Sequence, residues 1–326
     1  MKRALAVLGG LFLLALLVAA VLLHAPDRPR AALEATYAAT PDTRFLDLPG
    51  GVRLHLRDSG PRDAPAVLLL HGFGASLHTW EDWARGLSDA FRVVRLDLPG
   101  FGLTGPDPTG DYSDERAMDV LVAAMDALGV ARASVVGSSM GGRIAWRFAA
   151  REPGRVERLV LLAPDGFAGP GRSYDAPPRV PLLLRLLPLV LPERLLRATL
   201  AGAYADPADL TEERAARYRD MLLAPGVRHA IVARTAQAVL PRPEPILATI
   251  RAPTLLVWGE ADRLVPVAHA QDYLRALPPE TGARLVSFPG IGHVPMEEDP
   301  ERTLAPVRAF LLGGPLGGPL GGPAPS

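Results

Sequence analysis

Cysteine is missing from all 326 residues. That absence excludes disulfides, thiolate metal sites and a cysteine nucleophile, and it suits either side of a bacterial membrane. A surplus of one charge is missing too. Lys+Arg and Asp+Glu stand at 35 each, which argues against a nucleic-acid partner and against an acidic solvating tail. No pair of histidines or carboxylates has metal-ligand spacing, and no G-x-G-x-x-G follows a strand in a nucleotide-binding setting, so neither a metal nor another cofactor is expected. Apolar residues are plentiful instead, 48% of the chain against 21% charged, enough for a large α/β core.

The two ends differ from the middle. After Met1-Lys2-Arg3, residues 4–23 contain no charge. Twenty helical residues span about 30 Å, the thickness of a bilayer's hydrocarbon core. The run is longer than the apolar region of a usual cleaved signal, and "LLHAPD" after it is a poor cleavage site. Residues 1–24 are therefore expected to form an uncleaved signal anchor in the lipid bilayer, with secretion after cleavage as the alternative. The positive charges at the start place the bulk of the chain on the extracytoplasmic side. Residues 25–40 read as a linker. Residues 313–326 repeat GGPx, cannot bury a core and are expected to be disordered.

Between these ends, short β-rich apolar runs recur at 52–56, 66–70, 92–96, 134–136, 159–162, 254–258 and 284–288. Amphipathic stretches separate most of them; in 114–128 the residues Ala117, Val120, Leu121, Ala124, Met125 and Leu128 share one face. Strand–helix alternation predicts an α/β fold, a mostly parallel sheet with helices on both faces. The alternation stops at 165–245, a proline-punctuated, helix-rich stretch without a strand signal. It is expected to form a helical cap over the strand ends, inserted into a core built from 41–164 and 246–312. The leucine-dense "PLLLRLLPLVLPERLL" within it reads as the cap's own core, with an entrance lining or a lipid contact as alternatives.

Polar residues with chemical potential sit just past those runs. Gly137-Ser138-Ser139-Met140-Gly141 fits G-x-S-x-G, a sharp strand-to-helix turn that exposes its central serine. Gly137 and Gly141 are needed because strand and helix press together there. The Met140 N–H, at a helix N-terminus, would face any negative charge forming beside Ser139. After 66–70 comes His71-Gly72-Phe73-Gly74, whose glycines let the backbone approach a ligand; the Phe73 N–H would pair with that of Met140 as an oxyanion hole. His71 reads as structural, and Asp97 after the third run as a loop scaffold that holds backbone N–H groups. Asp262 and His293 follow the last two runs. A serine hydroxyl needs a base, and an imidazole base needs a carboxylate to fix its tautomer. Asp165 is the alternative acid. Among the remaining histidines, His24 and His55 read as membrane-flanking and surface residues, and His78 as a helix-start residue near the site.

Through HGFG, DLPGFG, GSSMGG, GEADRLVP and GIGHVPMEEDP, in this order over about residues 42–312, the chain resembles the α/β-hydrolase superfamily. The likeness is to its capped serine-hydrolase branch of carboxylesterases, carbon–carbon bond hydrolases and perhydrolases. The resemblance implies an eight-stranded sheet, Ser139 as nucleophile, His293 as base, Asp262 as acid, and Phe73 and Met140 as the oxyanion hole. Ser139 speaks against the relatives that open epoxides or dehalogenate, which carry aspartate at the elbow. The expected activity is hydrolysis of a small or medium apolar carboxylic ester. Carbon–carbon hydrolysis or acyl transfer by the same triad, and non-catalytic binding on the same fold, remain alternatives.

Overall fold

The structure, a computed structural model, describes residue 10 and residues 23–169 and 173–314. The expected anchor at 4–23 and the Gly/Pro tail therefore lie, but for residues 10, 23, 313 and 314, outside the described residues. Among the described residues no helix is long and apolar enough to cross a membrane.

Eight strands form one sheet: β1 (Thr43–Leu48), β2 (Val52–Ser59), β3 (Ala66–Leu70), β4 (Arg92–Leu96), β5 (Ala133–Ser138), β6 (Val156–Leu162), β7 (Thr254–Gly259) and β8 (Arg284–Phe288). Their spatial order is β1-β2-β4-β3-β5-β6-β7-β8. The β1–β2 and β2–β4 pairs are antiparallel and every other pair is parallel. This is the α/β-hydrolase fold. Side chains alternate as a two-faced strand requires: Leu68 and Leu70 pack into one core cluster with Trp146, and Val67 and Leu69 into another with Trp80 and Trp83. Seven of the strands coincide with the apolar runs. The eighth, β1, is an edge strand whose Thr43, Arg44 and Asp47 break the apolar signal.

The helix Asp114–Ala127 buries Ala117, Val120, Leu121, Ala124 and Met125, the predicted stripe, and Ser113 caps it by accepting from the Arg116 N–H. Two expectations need correction. Residues 25–40 are more than a linker: Arg30–Tyr37 is a helix whose Leu33 is wholly buried. Its neighbourhood is tied to the segment 165–245 by Tyr37 Oη donating to Asp220 (2.9 Å), and by Arg228 pairing with Asp27 (2.7 Å). Leu33 and Tyr37, four apart, share one helix face, and this makes the segment dock.

Within 165–245 the described residues form the helices Glu193–Ala201, Glu212–Leu222, Val227–Gln237 and Pro243–Leu247, and no strand. The leucine-dense run is the second correction, since it is not a buried core. Leu182 and Leu183 are 76% and 78% exposed, and Leu186 and Leu189 are exposed as well; only Leu191 is buried. Between Pro181 and Pro192 the prolines confine this run to a single 3-10 turn, Leu184–Leu186, which can bury one face at most.

Candidate active site

The carboxyl ends of β3, β5, β6, β7 and β8 lie side by side along one edge of the sheet, and each hands over to a residue singled out above. At the end of β5 the chain turns directly into the helix Met140–Arg151. Ser139, at the corner, has φ 53° and ψ −117°, a backbone conformation that costs of order 1–3 kcal/mol for a residue with a side chain. Space enforces the turn. A Cβ on Gly137 would lie 2.3 Å from the Gly141 carbonyl oxygen, and one on Gly141 2.3 Å from that of Leu70. Among the described residues the Ser139 hydroxyl has no hydrogen-bond partner, and it borders a cavity of 680 Å³.

Gly72 passes close to this corner, a Cβ there falling 3.3 Å from the Ser139 Cβ, and Gly74 takes φ +72°. The Phe73 side chain is half exposed and lines the cavity with Met140. The backbone N–H groups of Phe73 and Met140 donate to no described residue, which leaves two donors beside Ser139. His71 is buried, its Nδ1 against the Gly72 carbonyl (2.8 Å) and its Nε2 accepting from the Leu98 N–H (3.0 Å). Burial pushes its pKa down, so it is a neutral brace between two loops.

Asp97 holds that second loop. It accepts from the N–H groups of Leu77 (2.8 Å) and Leu103 (2.8 Å) and pairs with His55 Nδ1 (2.7 Å). Burial raises its pKa, but the His55, His78 and His71 imidazoles outweigh that and hold it well below the usual carboxylate range. The surface reading of His55 is thus overturned: it has no exposed area, because β2 is covered on both faces here. His78 lies in the 3-10 turn Leu77–Trp80, is buried, and is not among the cavity's lining. His24 is exposed, with its Nδ1 3.2 Å from the Leu189 carbonyl.

Beyond β7, Asp262 Oδ1 accepts from the N–H groups of Leu264 (2.8 Å) and Val265 (2.9 Å), which pins the carboxylate. Its Oδ2 lies 2.7 Å from His293 Nδ1. The imidazole therefore donates from Nδ1 to a fixed acceptor, and Nε2 is left as the basic nitrogen. Asp165, the other candidate acid, pairs with Arg143 instead.

One feature of the cavity escaped the sequence reading. Its lining is apolar at Phe73, Met140, Leu184 and Leu240, yet Arg143, Arg234 and Asp165 also face it. Asp114 gathers the arginines: Arg143 binds it by two nitrogens (2.8 and 3.2 Å) and Arg147 by one (3.0 Å). Their separations along the chain follow no pattern a sequence reader could use. Among the described residues no group of three or more His, Cys, Asp or Glu is placed to hold a metal ion.

Comparison with known proteins agrees with this architecture. A family model described as alpha/beta hydrolase fold matches residues 65–300. A 2-hydroxy-6-oxononadienedioate/2-hydroxy-6-oxononatrienedioate hydrolase of Burkholderia vietnamiensis is 32% identical over 272 residues, covering 80% of this chain and 91% of that one. Among solved structures, a hydrolase from Pseudomonas aeruginosa superimposes with TM-score 0.72 at 29% identity, over 84% of this chain and 100% of its own. A bacterial membrane phospholipase A, described as a virulence factor, has TM-score 0.72 at 29% identity and covers 96% of this chain and 99% of its own.

Proposed function

The chain belongs to the α/β hydrolase fold family, and on that premise we propose that it is a membrane-tethered serine hydrolase that cleaves carboxylic esters through an acyl-enzyme at Ser139. The observation that carries the reading is the Asp262–His293 pair, 2.7 Å apart, beyond the carboxyl ends of strands that run parallel to the one ending at the strained Ser139 corner. His293 Nε2 takes the Ser139 proton as Oγ attacks the ester carbon. The Phe73 and Met140 N–H groups receive the oxyanion of the tetrahedral intermediate. As that intermediate collapses, the C–O bond to the alcohol breaks and His293 gives the alcohol its proton. Water, deprotonated by the same imidazole, then attacks the acyl-enzyme, and the acid leaves with Ser139 restored. The Ser139 and His293 side chains are not hydrogen-bonded to each other here; such contacts commonly tighten only when substrate arrives.

The tether rests on the uncharged residues 4–23 and on the membrane phospholipase A likeness, which extends over 96% of the chain, well beyond the matched residues 65–300. Lys2 and Arg3 ahead of that run favour an extracytoplasmic catalytic domain. A second reading, hydrolysis of a carbon–carbon bond by the same residues, is favoured by the name of the 32% identical relative. The test is hydrolysis of 4-nitrophenyl esters of increasing acyl length by the full chain and by its Ser139→Ala variant. A loss of several orders of magnitude, as removal of a nucleophilic serine gives elsewhere, is expected. If folded protein with Ser139 intact reacts with no fluorophosphonate, the serine-hydrolase reading fails; labelling without ester turnover favours the carbon–carbon reading.

A further inference from the structure

The cavity beside Ser139 contains a cation that the reaction above does not use. Arg234 projects from the helix Val227–Gln237, is 2% exposed, and lines the cavity together with Ser139 and Met140. Its Nε donates to the Met140 sulfur (3.2 Å), a weak acceptor, and its Cζ stands 5.6 Å from the centre of the Phe101 ring. Its Nη2 is 3.5 Å from Asp114 Oδ1, an ion pair by distance only. Among the described residues neither Nη1 nor Nη2 has a hydrogen-bond partner. Arg143 and Arg147 already occupy the good positions around Asp114.

Burial lowers the Arg234 pKa to about 10 against the pull of Asp114, so the group stays charged at neutral pH. A buried guanidinium whose two terminal nitrogens go unbonded is costly, and an anion delivered by a ligand would offset that cost. We propose that Arg234 receives a carboxylate of the substrate, so that the preferred substrates are acyl compounds bearing one negative charge rather than neutral esters. The Nη1/Nη2 fork, without a hydrogen bond and held only by the 3.5 Å approach of Nη2 to Asp114, matches the two oxygens of a carboxylate. Arg143, a neighbouring cation of the lining, is already engaged by Asp114 and Asp165, so it is Arg234 that would meet an added negative charge. This inference rests on the serine-hydrolase reading for its kinetic test but not for its binding test.

The kinetic test uses the full chain and 4-nitrophenyl hemiesters of succinate, glutarate, adipate and pimelate. Each is compared with the neutral ester in which a branched CH(CH3)2 end replaces the carboxylate. For at least one length the hemiester is expected to have the higher kcat/KM, and Arg234→Met to lower the hemiester-to-neutral ratio about a hundredfold, mostly through KM. Arg234→Lys, which keeps charge but loses the fork, is expected to restore part of the ratio. Neutral esters preferred by the wild type at every length would overturn the proposal, as would a hemiester preference that survives Arg234→Met. The binding test uses Ser139→Ala protein and monomethyl glutarate, read as a rise in unfolding temperature that its dimethyl ester does not give and that Arg234→Met or Arg234→Lys diminishes. A rise from the monomethyl ester equal to that from the dimethyl ester would overturn the proposal, even if the protein cleaves no ester. Stabilisation of the Ser139→Ala protein by the monoester, together with a folded wild type that no fluorophosphonate labels, would instead keep the anion site and remove the serine-hydrolase reading.

Discussion

Gly137→Ala isolates the claim that crowding holds the Ser139 corner in place. The added Cβ would meet the Gly141 oxygen at 2.3 Å, the Gly141 carbonyl carbon at 2.6 Å and the Gly142 Cα at 2.8 Å. Every one of these is backbone, so no flexible side chain can swing away. Ordinary contact begins at 3.4 Å, so strand and helix must part by about 1 Å. Overpacking of this kind costs about 1–3 kcal/mol. The same shift moves Ser139 Oγ and the Met140 N–H off the line of attack, and a misplacement of about 1 Å can cost about a hundredfold in rate. The control is Gly154→Ala, where nothing lies within 4 Å; it should stay within about 0.5 kcal/mol of wild type. The assay pairs the second-order rate of fluorophosphonate labelling with denaturant unfolding of both variants. A Gly137→Ala protein that labels and unfolds like wild type would refute the packing argument, because the turn would then have room the structure denies it.

Asp262→Asn should leave the fold intact and reduce kcat about ten-thousandfold, since the amide no longer fixes the His293 tautomer or stabilises its charged form; circular dichroism and single-substrate kinetics check both halves. Stability should fall as pH drops from 6.5 towards 4. His78 sits at about 4 in the fold through burial, opposed by Asp97 and aided by Arg57 and His55, so the unfolded chain binds the extra proton. The contribution at pH 5 is about 2 kcal/mol, and His78→Gln should flatten urea midpoints measured between pH 7 and 5.

The parts of the site that were legible in the sequence share a cause. Ser139, Asp262 and His293 each lie within five residues of the end of an apolar β-rich run, so a local pattern announces both the strand and the loop at its end. Asp97 was legible for the same reason. Features built from distant segments left no such trace. Arg234 reaches Asp114 and Met140 from a helix about a hundred residues further on, and a reading of apolar periodicity passes over a charged residue on the buried face. Leu33 docks a short helix onto a core that a linker-like composition conceals. His55 looked exposed because β2 alternates charged and apolar residues, yet β1 and the loop after β4 cover it.

Contacts between the segment 165–245 and the loop of His293 give that segment a role beyond lining the cavity. The His293 N–H donates to the Ala203 carbonyl (2.7 Å), and Glu298 accepts from the N–H groups of Ala205 (2.8 Å), Gly292 (2.9 Å) and Val294 (3.2 Å). Gly292 has no space for a side chain, since a Cβ would come 2.6 Å from the Ala205 nitrogen. The backbone on both sides of the base is thus fastened to residues 203–205 through one carboxylate. Glu298→Gln turns an –NH2 towards N–H groups that need an acceptor, and lost bonds to a charged group are worth about 1.5–3 kcal/mol each. If residues 203–205 position the base, Glu298→Gln should lower kcat and the acylation rate while leaving KM for a short ester near its original value. A variant in which KM rises and kcat holds would mean that these contacts shape only the cavity, and that His293 keeps its place without them.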